Sequence, residues 1–168
     1  GASWAATVPN PVLWADIPDP SIVRVGGDYY MSHTTMHMAP GVPIMKSSDL
    51  VNWKTVSYCY STLVNNDEMN MANGKNAYGK GSWASSIRHK DGVFHVLVPS
   101  YTSGKTHLYT TSDVEKGPWK EVQFPFYHDP SLWLDDDGRN FVVYGGSDIR
   151  IVQLNSALTA EQSGGVRK

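Results

Sequence analysis

Ser86-Ile87-Arg88-His89-Lys90-Asp91-Gly92-Val93-Phe94-His95-Val96 reads as a strand, an X-Gly turn and a second strand. Asp-Gly between two apolar-rich runs is a strong signal for a two-residue hairpin, because both central residues must take positive φ. The same pattern stands upstream in Ser21-Ile22-Val23-Arg24-Val25-Gly26-Gly27-Asp28-Tyr29-Tyr30-Met31. It returns downstream in Ser131-Leu132-Trp133-Leu134-Asp135-Asp136-Asp137-Gly138-Arg139-Asn140-Phe141-Val142-Val143. The turns fall at Gly26-Gly27, Asp91-Gly92 and Asp137-Gly138.

Working outward, a third strand follows each hairpin: Pro43 to Ser47, Thr106 to Thr111, and Ile149 to Leu154. Each ends in a turn opened by Asp49, Asp113 or Asn155, residues whose side chains bond their own backbone two residues on. In the first two units a Trp and a fourth strand come next, Trp53-Lys54-Thr55-Val56 and Trp119-Lys120-Glu121-Val122. Four antiparallel strands repeated at intervals of roughly 40–65 residues mark an all-β chain of the β-propeller type. A sandwich of ordinary hairpins is the alternative, and it does not account for the repeated third-strand turn and Trp. The expected units are about 19–60, 83–126 and 129–160, the last incomplete, with a polar loop over about 61–81. Loops of that length inside a compact fold are usually functional. No helix is expected beyond a single turn over Ser156 to Gln162.

The chain has 168 residues and a net charge of −2, which excludes a strongly basic nucleic-acid binder. Charged residues are 18%, below the usual ~25%. Aromatics are 11%, with six Trp and nine Tyr, and 15 Gly and 10 Pro argue against a helical bundle. A weakly charged, aromatic-rich surface suits an uncharged ligand such as a sugar, whose C–H faces stack on rings. A lone cysteine, Cys59, allows no internal disulfide and says nothing about redox compartment. No apolar run approaches the ~20 residues needed to cross a membrane. Gly1 to Thr7 lacks the basic and apolar regions of a signal peptide. The compartment stays open, secreted or periplasmic ahead of cytoplasmic.

Aligning the units on their first strands places Asp19 and Asp129 at equivalent positions, with Ala84 between them. The innermost strands of a propeller begin at one mouth of the axial channel, so both carboxylates are expected at one pocket. Each stands in Asp-Pro-Ser, where the Pro biases the Asp toward extended backbone. Paired carboxylates beside aromatics point to acid/base work on a glycosidic bond. Asp-Pro-Ser is also an ordinary strand-entry turn, but two at matched register are harder to explain that way. Asp135-Asp136-Asp137-Gly138 lacks the spaced ligands and distal Glu of a calcium loop and reads as a charged hairpin turn. A structural calcium ion therefore finds no support, and no cofactor is required.

Several strings resemble glycoside hydrolase family 43: Asn10-Pro11-Val12-Leu13, Pro18-Asp19-Pro20-Ser21-Ile22, Pro40-Gly41-Val42-Pro43-Ile44, Ser48-Asp49-Leu50-Val51-Asn52-Trp53, Gly81-Ser82-Trp83-Ala84-Ser85-Ser86 and His128-Asp129-Pro130-Ser131-Leu132. The resemblance runs from about Asn10 to Leu154 and covers the first three blades of a five-bladed β-propeller. It implies exo-release of α-L-arabinofuranose or β-D-xylose from arabinoxylan and xylo-oligosaccharides by inverting displacement. Asp19 would be the general base, and Asp129 would orient the general acid and raise its pKa. That acid is a Glu opening a later blade. Of Glu68, Glu115, Glu121 and Glu161 none opens an inner strand, so the acid and remaining blades would come from further chain or a second polypeptide. Trp83, Ser85, His128, Met36 and His37 are candidate substrate contacts, although Trp83 also suits a core position between blades. Met36-His37-Met38 stands where xylosidases of the family often carry aromatics, which leaves the choice between the two sugars open. A non-catalytic carbohydrate-binding propeller, or an inactive fragment, is the rival reading. Neither nucleic acid nor membrane is an expected partner.

Overall fold

The computed structural model describes residues 7–167. Three four-stranded antiparallel sheets follow one another, each with its strands in chain order. The first contains β1 (Ser21–Val25), β2 (Asp28–Ser32), β3 (Gly41–Ser47) and β4 (Lys54–Tyr60). The helix α1 (Asp67–Asn70) intervenes, and then come β5 (Ser86–Lys90), β6 (Val93–Ser100), β7 (Lys105–Thr111) and β8 (Lys120–Pro125). The third sheet contains β9 (Ser131–Leu134), β10 (Asn140–Tyr144), β11 (Arg150–Leu154) and β12 (Glu161–Arg167). Among the described residues no helix is long and apolar enough to cross a membrane.

The sheets stack face to face with the second in the middle, which explains the nearly continuous apolar run of β6. Its side chains alternate between two cores. Val96 and Val98 face one cluster with Tyr30, Ile44, Tyr60, Ile87 and Tyr109. Leu97 faces the other, with Leu108, Tyr127, Leu132, Val142 and Val152. The outer faces are different: Ile22 on β1 is 48% exposed and Trp133 on β9 is 60% exposed. The first strands of the sheets lie side by side in the order β1, β5, β9. One bond recurs at both junctions. The Ile87 amide donates to Ser21 Oγ at 3.1 Å, and the Leu132 amide donates to Ser86 Oγ at 3.1 Å. These sheets are blades, radiating from a common row of inner strands.

The turns at Gly26-Gly27 and Asp91-Gly92 are two-residue hairpins, closing Val25↔Asp28 and Lys90↔Val93. Asp137-Gly138 is not. The ladder closes at Leu134↔Asn140, so a longer loop spans 135–139. Arg139 crosses it, donating from Nε to Asp137 Oδ2 at 2.5 Å and from Nη2 to Asp135 Oδ2 at 3.4 Å. The third-strand turns form as expected. Asp49 Oδ1 accepts from the Val51 and Asn52 amides, Asp113 Oδ1 from Glu115 and Lys116, and Asn155 Oδ1 from Thr159. The bond from the Asn52 amide, with others from the Asn52 side chain and Val51, holds the Asp49 carboxyl well below the usual range.

Two elements differ from expectation. The third sheet extends past residue 160, because β12 pairs with β11 at Leu154↔Glu161 and Val152↔Val166; the turn placed over Ser156 to Gln162 ends where this strand begins. The loop over 61–81 holds α1, a single turn capped by Asn66, whose side chain accepts from the Met69 amide at 2.9 Å.

Candidate active site

Asp19 stands two residues before β1 and Asp129 two residues before β9. Both are solvent-exposed. Neither adopts the extended backbone that the following proline favours: φ is 51° at Asp19 and 44° at Asp129. The proline argument concerns the right-handed helical region, and aspartate tolerates the left-handed one better than most residues. Ala84, the equivalent residue of the middle sheet, is not among the positive-φ positions. Entry into a blade therefore does not itself demand that conformation.

Around Asp129 the contacts are specific. His128 Nε2 lies 3.4 Å from Asp129 Oδ2. The His128 carbonyl accepts from the Gly145 amide at 2.9 Å, which ties the approach to β9 to the loop after β10. The Trp83 ring lies 5.9 Å from the His128 ring and edge-on to Tyr101 at 4.5 Å. Tyr101 in turn lies 4.7 Å from Phe126. The Trp83 amide donates to the Pro99 carbonyl at 2.9 Å, and its indole Nε1 donates to the Gly79 carbonyl at 3.0 Å. Trp83 is thus half-buried, with its ring plane fixed at both ends.

On the Asp19 side the organising residue is Thr34, buried at 1% exposure. Its amide donates to the Pro18 carbonyl at 3.2 Å, fixing the peptide that precedes Asp19. Its hydroxyl donates to the Ser82 carbonyl at 2.5 Å, fixing the peptide that precedes Trp83, and accepts from the Met36 amide at 2.8 Å. A cavity of about 350 Å³ lies beside Thr34, lined by Asp16, Pro18, His33, Met36 and His37 among others, with neither Asp19 nor Asp129 in its lining. Burial is the main cause that lowers the His33 pKa below its ordinary value, against smaller opposing effects from the Thr34 carbonyl and Asp16.

Of the other candidates, Met36 and His37 line that cavity. Ser85 is buried, and its hydroxyl donates to Ser32 Oγ at 2.9 Å, a link between the first and second sheets. Among the described residues no group of three or more His, Cys, Asp or Glu is placed to hold a metal ion.

The family model for glycosyl hydrolases family 43 matches residues 8–166. The chain belongs to glycoside hydrolase family 43. Its three four-stranded sheets are blades of the propeller type that the resemblance implies. A xylan 1,3-β-xylosidase of Vibrio sp is 36% identical over 152 residues, covering 83% of this chain and 28% of that protein. A non-reducing end α-L-arabinofuranosidase of Bacteroides ovatus is 35% identical over 140 residues, covering 81% and 26%. Among solved structures, a bifunctional GH43-CE protein of Bacteroides eggerthii superposes with a TM-score of 0.90 at 52% identity, covering 95% of this chain and 21% of that one. The family 43 chain thus spans about a quarter of the relatives it matches. Thr34, Tyr101 and Phe126 were not singled out by sequence reasoning. Thr34 carries no local signal, because its role lies in contacts to residues far away in sequence. The aromatics could have been suspected from their placement in loops preceding or following mapped strands.

Proposed function

We propose that this chain supplies the base side of an inverting glycosidase that removes terminal α-L-arabinofuranosyl or β-D-xylosyl units from xylan-type saccharides. The observation that carries this reading is the matched left-handed backbone at Asp19 and Asp129, at one register in two blades whose inner strands flank β5. Non-glycine residues held at positive φ cost of order 1–3 kcal/mol each and cluster at active sites. Asp19 acts as general base: it takes a proton from a water that attacks the anomeric carbon as the glycosidic bond breaks. The leaving oxygen takes its proton from a carboxylic acid roughly 6.5–9.5 Å from the base, a separation that leaves room for the water. Asp129 orients that acid and, as a nearby carboxylate, raises its pKa.

The acid lies outside this sequence. Glu68 pairs with Lys75, Glu115 with Lys46 and Glu121 with His107. Glu161 stands on β12, the outermost strand of its sheet, and accepts from Tyr127 Oη at 2.5 Å. The same engagement of every glutamate is what favours a carbohydrate-binding propeller as the second reading. The names of the relatives, xylosidases and an arabinofuranosidase among them, favour catalysis.

The test is Asp19→Ala in the complete protein, assayed on nitrophenyl arabinofuranoside and xyloside. Turnover falls about 10²–10⁴-fold while xylo-oligosaccharide binding persists. Retention of most activity reassigns the base. A wild-type protein that binds xylo-oligosaccharides and releases no sugar supports the binding reading instead.

A further inference from the structure

We propose that Tyr78 is a stacking platform for a second sugar ring of the substrate, on the leaving-group side of the scissile bond. This rests on the glycosidase reading above. Tyr78 lies in the loop between the first two blades and is 76% exposed. A single exposed aromatic needs no explanation by itself, but this one is held in a fixed plane. Its ring stacks on His37 with centroids 4.4 Å apart and planes 4° from parallel. One face is therefore covered, and the exposure belongs to the other face and the edge.

The supporting ring is itself pinned. His37 Nδ1 accepts from the Gly79 amide at 2.8 Å, so in the neutral imidazole the proton sits on Nε2. Gly79 takes φ +69°, the conformation that aims its amide at His37. The carbonyl of the same residue accepts from Trp83 Nε1 at 3.0 Å. One glycine thus joins the Tyr78–His37 stack to Trp83, and Trp83 leads through His128 to Asp129. The neighbouring peptides are anchored as well: the Gly81 amide donates to the Met36 carbonyl at 2.8 Å, and the Thr102 amide to the Lys80 carbonyl at 2.9 Å. The result is a continuous set of contacts from the Tyr78–His37 stack, through Gly79 and Trp83, to His128 and Asp129.

A sugar ring offers an apolar C–H face to such a surface, and a ring that is already immobile loses little conformational freedom on binding. In an exo-acting enzyme the terminal unit occupies the closed end of the pocket. Any further ring contacted along the rim therefore belongs to the part of the saccharide that departs. Xylose units of a linear xylo-oligosaccharide meet this chemistry, since pentopyranose rings carry no bulky exocyclic carbon to hold them off an aromatic face.

The experiment uses the complete protein with Tyr78→Ala and Tyr78→Phe, measuring kcat and KM on xylobiose, xylotetraose and nitrophenyl xyloside. Tyr78→Ala raises KM for xylotetraose about 3- to 10-fold, the range of an aromatic stacking contact, and lowers kcat/KM for xylotetraose relative to nitrophenyl xyloside. Tyr78→Phe, which keeps the face, stays within about twofold of wild type on xylotetraose. The proposal is overturned if Tyr78→Ala matches wild type on every oligosaccharide. It is also overturned if kcat falls alike on all three substrates, which would mean the ring only supports the loop or packs against another part of the protein. If the wild-type protein cleaves none of them, the glycosidase reading fails. Calorimetric titration with xylotetraose then still decides the platform: a weaker Kd in Tyr78→Ala supports it, and an unchanged Kd overturns it.

Discussion

Replacing the repeated serine at the head of each blade by alanine should give two different costs from one chemical change. Ser86 is 3% exposed and accepts from the amide of Leu132, itself 1% exposed. Ser86→Ala leaves that amide without an acceptor and without water, so about 1–3 kcal/mol of stability is lost. Ser21 holds the Ile87 amide in the same way but is only partly buried. The orphaned amide belongs to Ile87, itself 0% exposed, so Ser21→Ala should also cost about 1–3 kcal/mol. Ser131, the third member, accepts from Arg88 Nη2 at 3.1 Å and is exposed. The guanidinium turns to water when the hydroxyl goes, so in residues 1–168 alone Ser131→Ala should stay within about 0.5 kcal/mol of the parent. In the complete protein a further blade against β9 would bring an amide to Ser131 by the same rule, and the cost should rise to that of Ser86→Ala. The assay is equilibrium urea unfolding, with the midpoint shifting at constant slope. If Ser86→Ala proves as stable as the parent, the inter-blade bond carries no weight. If Ser131→Ala stays neutral in the complete protein, no blade repeats the junction at β9.

Other outcomes follow from the same contacts. Burial is the main cause that lowers the pKa of His33, His95 and His107 below 6.5, with Glu121 opposing it at His107. Below about pH 6.5 the unfolded chain then binds protons that the folded chain refuses, so stability falls as pH drops through that value and is flat above it; equal urea midpoints at pH 7.5 and 5.5 would contradict this. Thr34→Val removes the hydroxyl that serves Ser82 and Met36 and should cost about 1–3 kcal/mol, with kcat falling in the complete protein, as thermal melts and nitrophenyl xyloside assays will show. Leu97→Ala, at 0% exposure in the middle blade, should cost about 2–5 kcal/mol, measured by urea unfolding. Residues 1–168 expressed alone should release neither xylose nor arabinose from xylobiose or arabinoxylan; release would place the acid among the four glutamates.

The features legible in the sequence are those written in a few adjacent residues. Asp91-Gly92 fixes its hairpin because both residues take positive φ, 51° and 76°, and Asp49, Asp113 and Asn155 fix turns through bonds to amides two to four residues on. The repeat made the blade legible because each unit restates it. β12 was missed because Glu161-Gln162-Ser163-Gly164-Gly165-Val166-Arg167 has two glycines and no alternation. Only pairing with β11 makes it a strand. Asp137-Gly138 carried a hairpin signal, but Arg139 and its two aspartate partners organise a longer loop. Ser85 and Thr34 show the same limit within the site. Their roles depend on Ser32, Pro18 and Ser82, which no local pattern connects to them.

The comparison of Asp19, Ala84 and Asp129 separates what the fold needs from what the site needs. All three residues precede the first strand of a blade, and the two blade junctions use the same serine-to-amide bond. If blade entry required a left-handed residue, the middle blade would show it at Ala84, where the steric penalty for a Cβ is of order 1 kcal/mol. The middle blade does not. The strained backbone accompanies the carboxylates and is missing where the side chain is a methyl group. A carboxylate is exposed at each of these positions, so burial does not explain the conformation either. Residue type and the following residue differ too: both aspartates precede a proline and tolerate the left-handed region, whereas Ala84 precedes Ser85, so the matched aspartate geometry supports the proposed pairing of the two carboxylates through its repetition at one register in two blades.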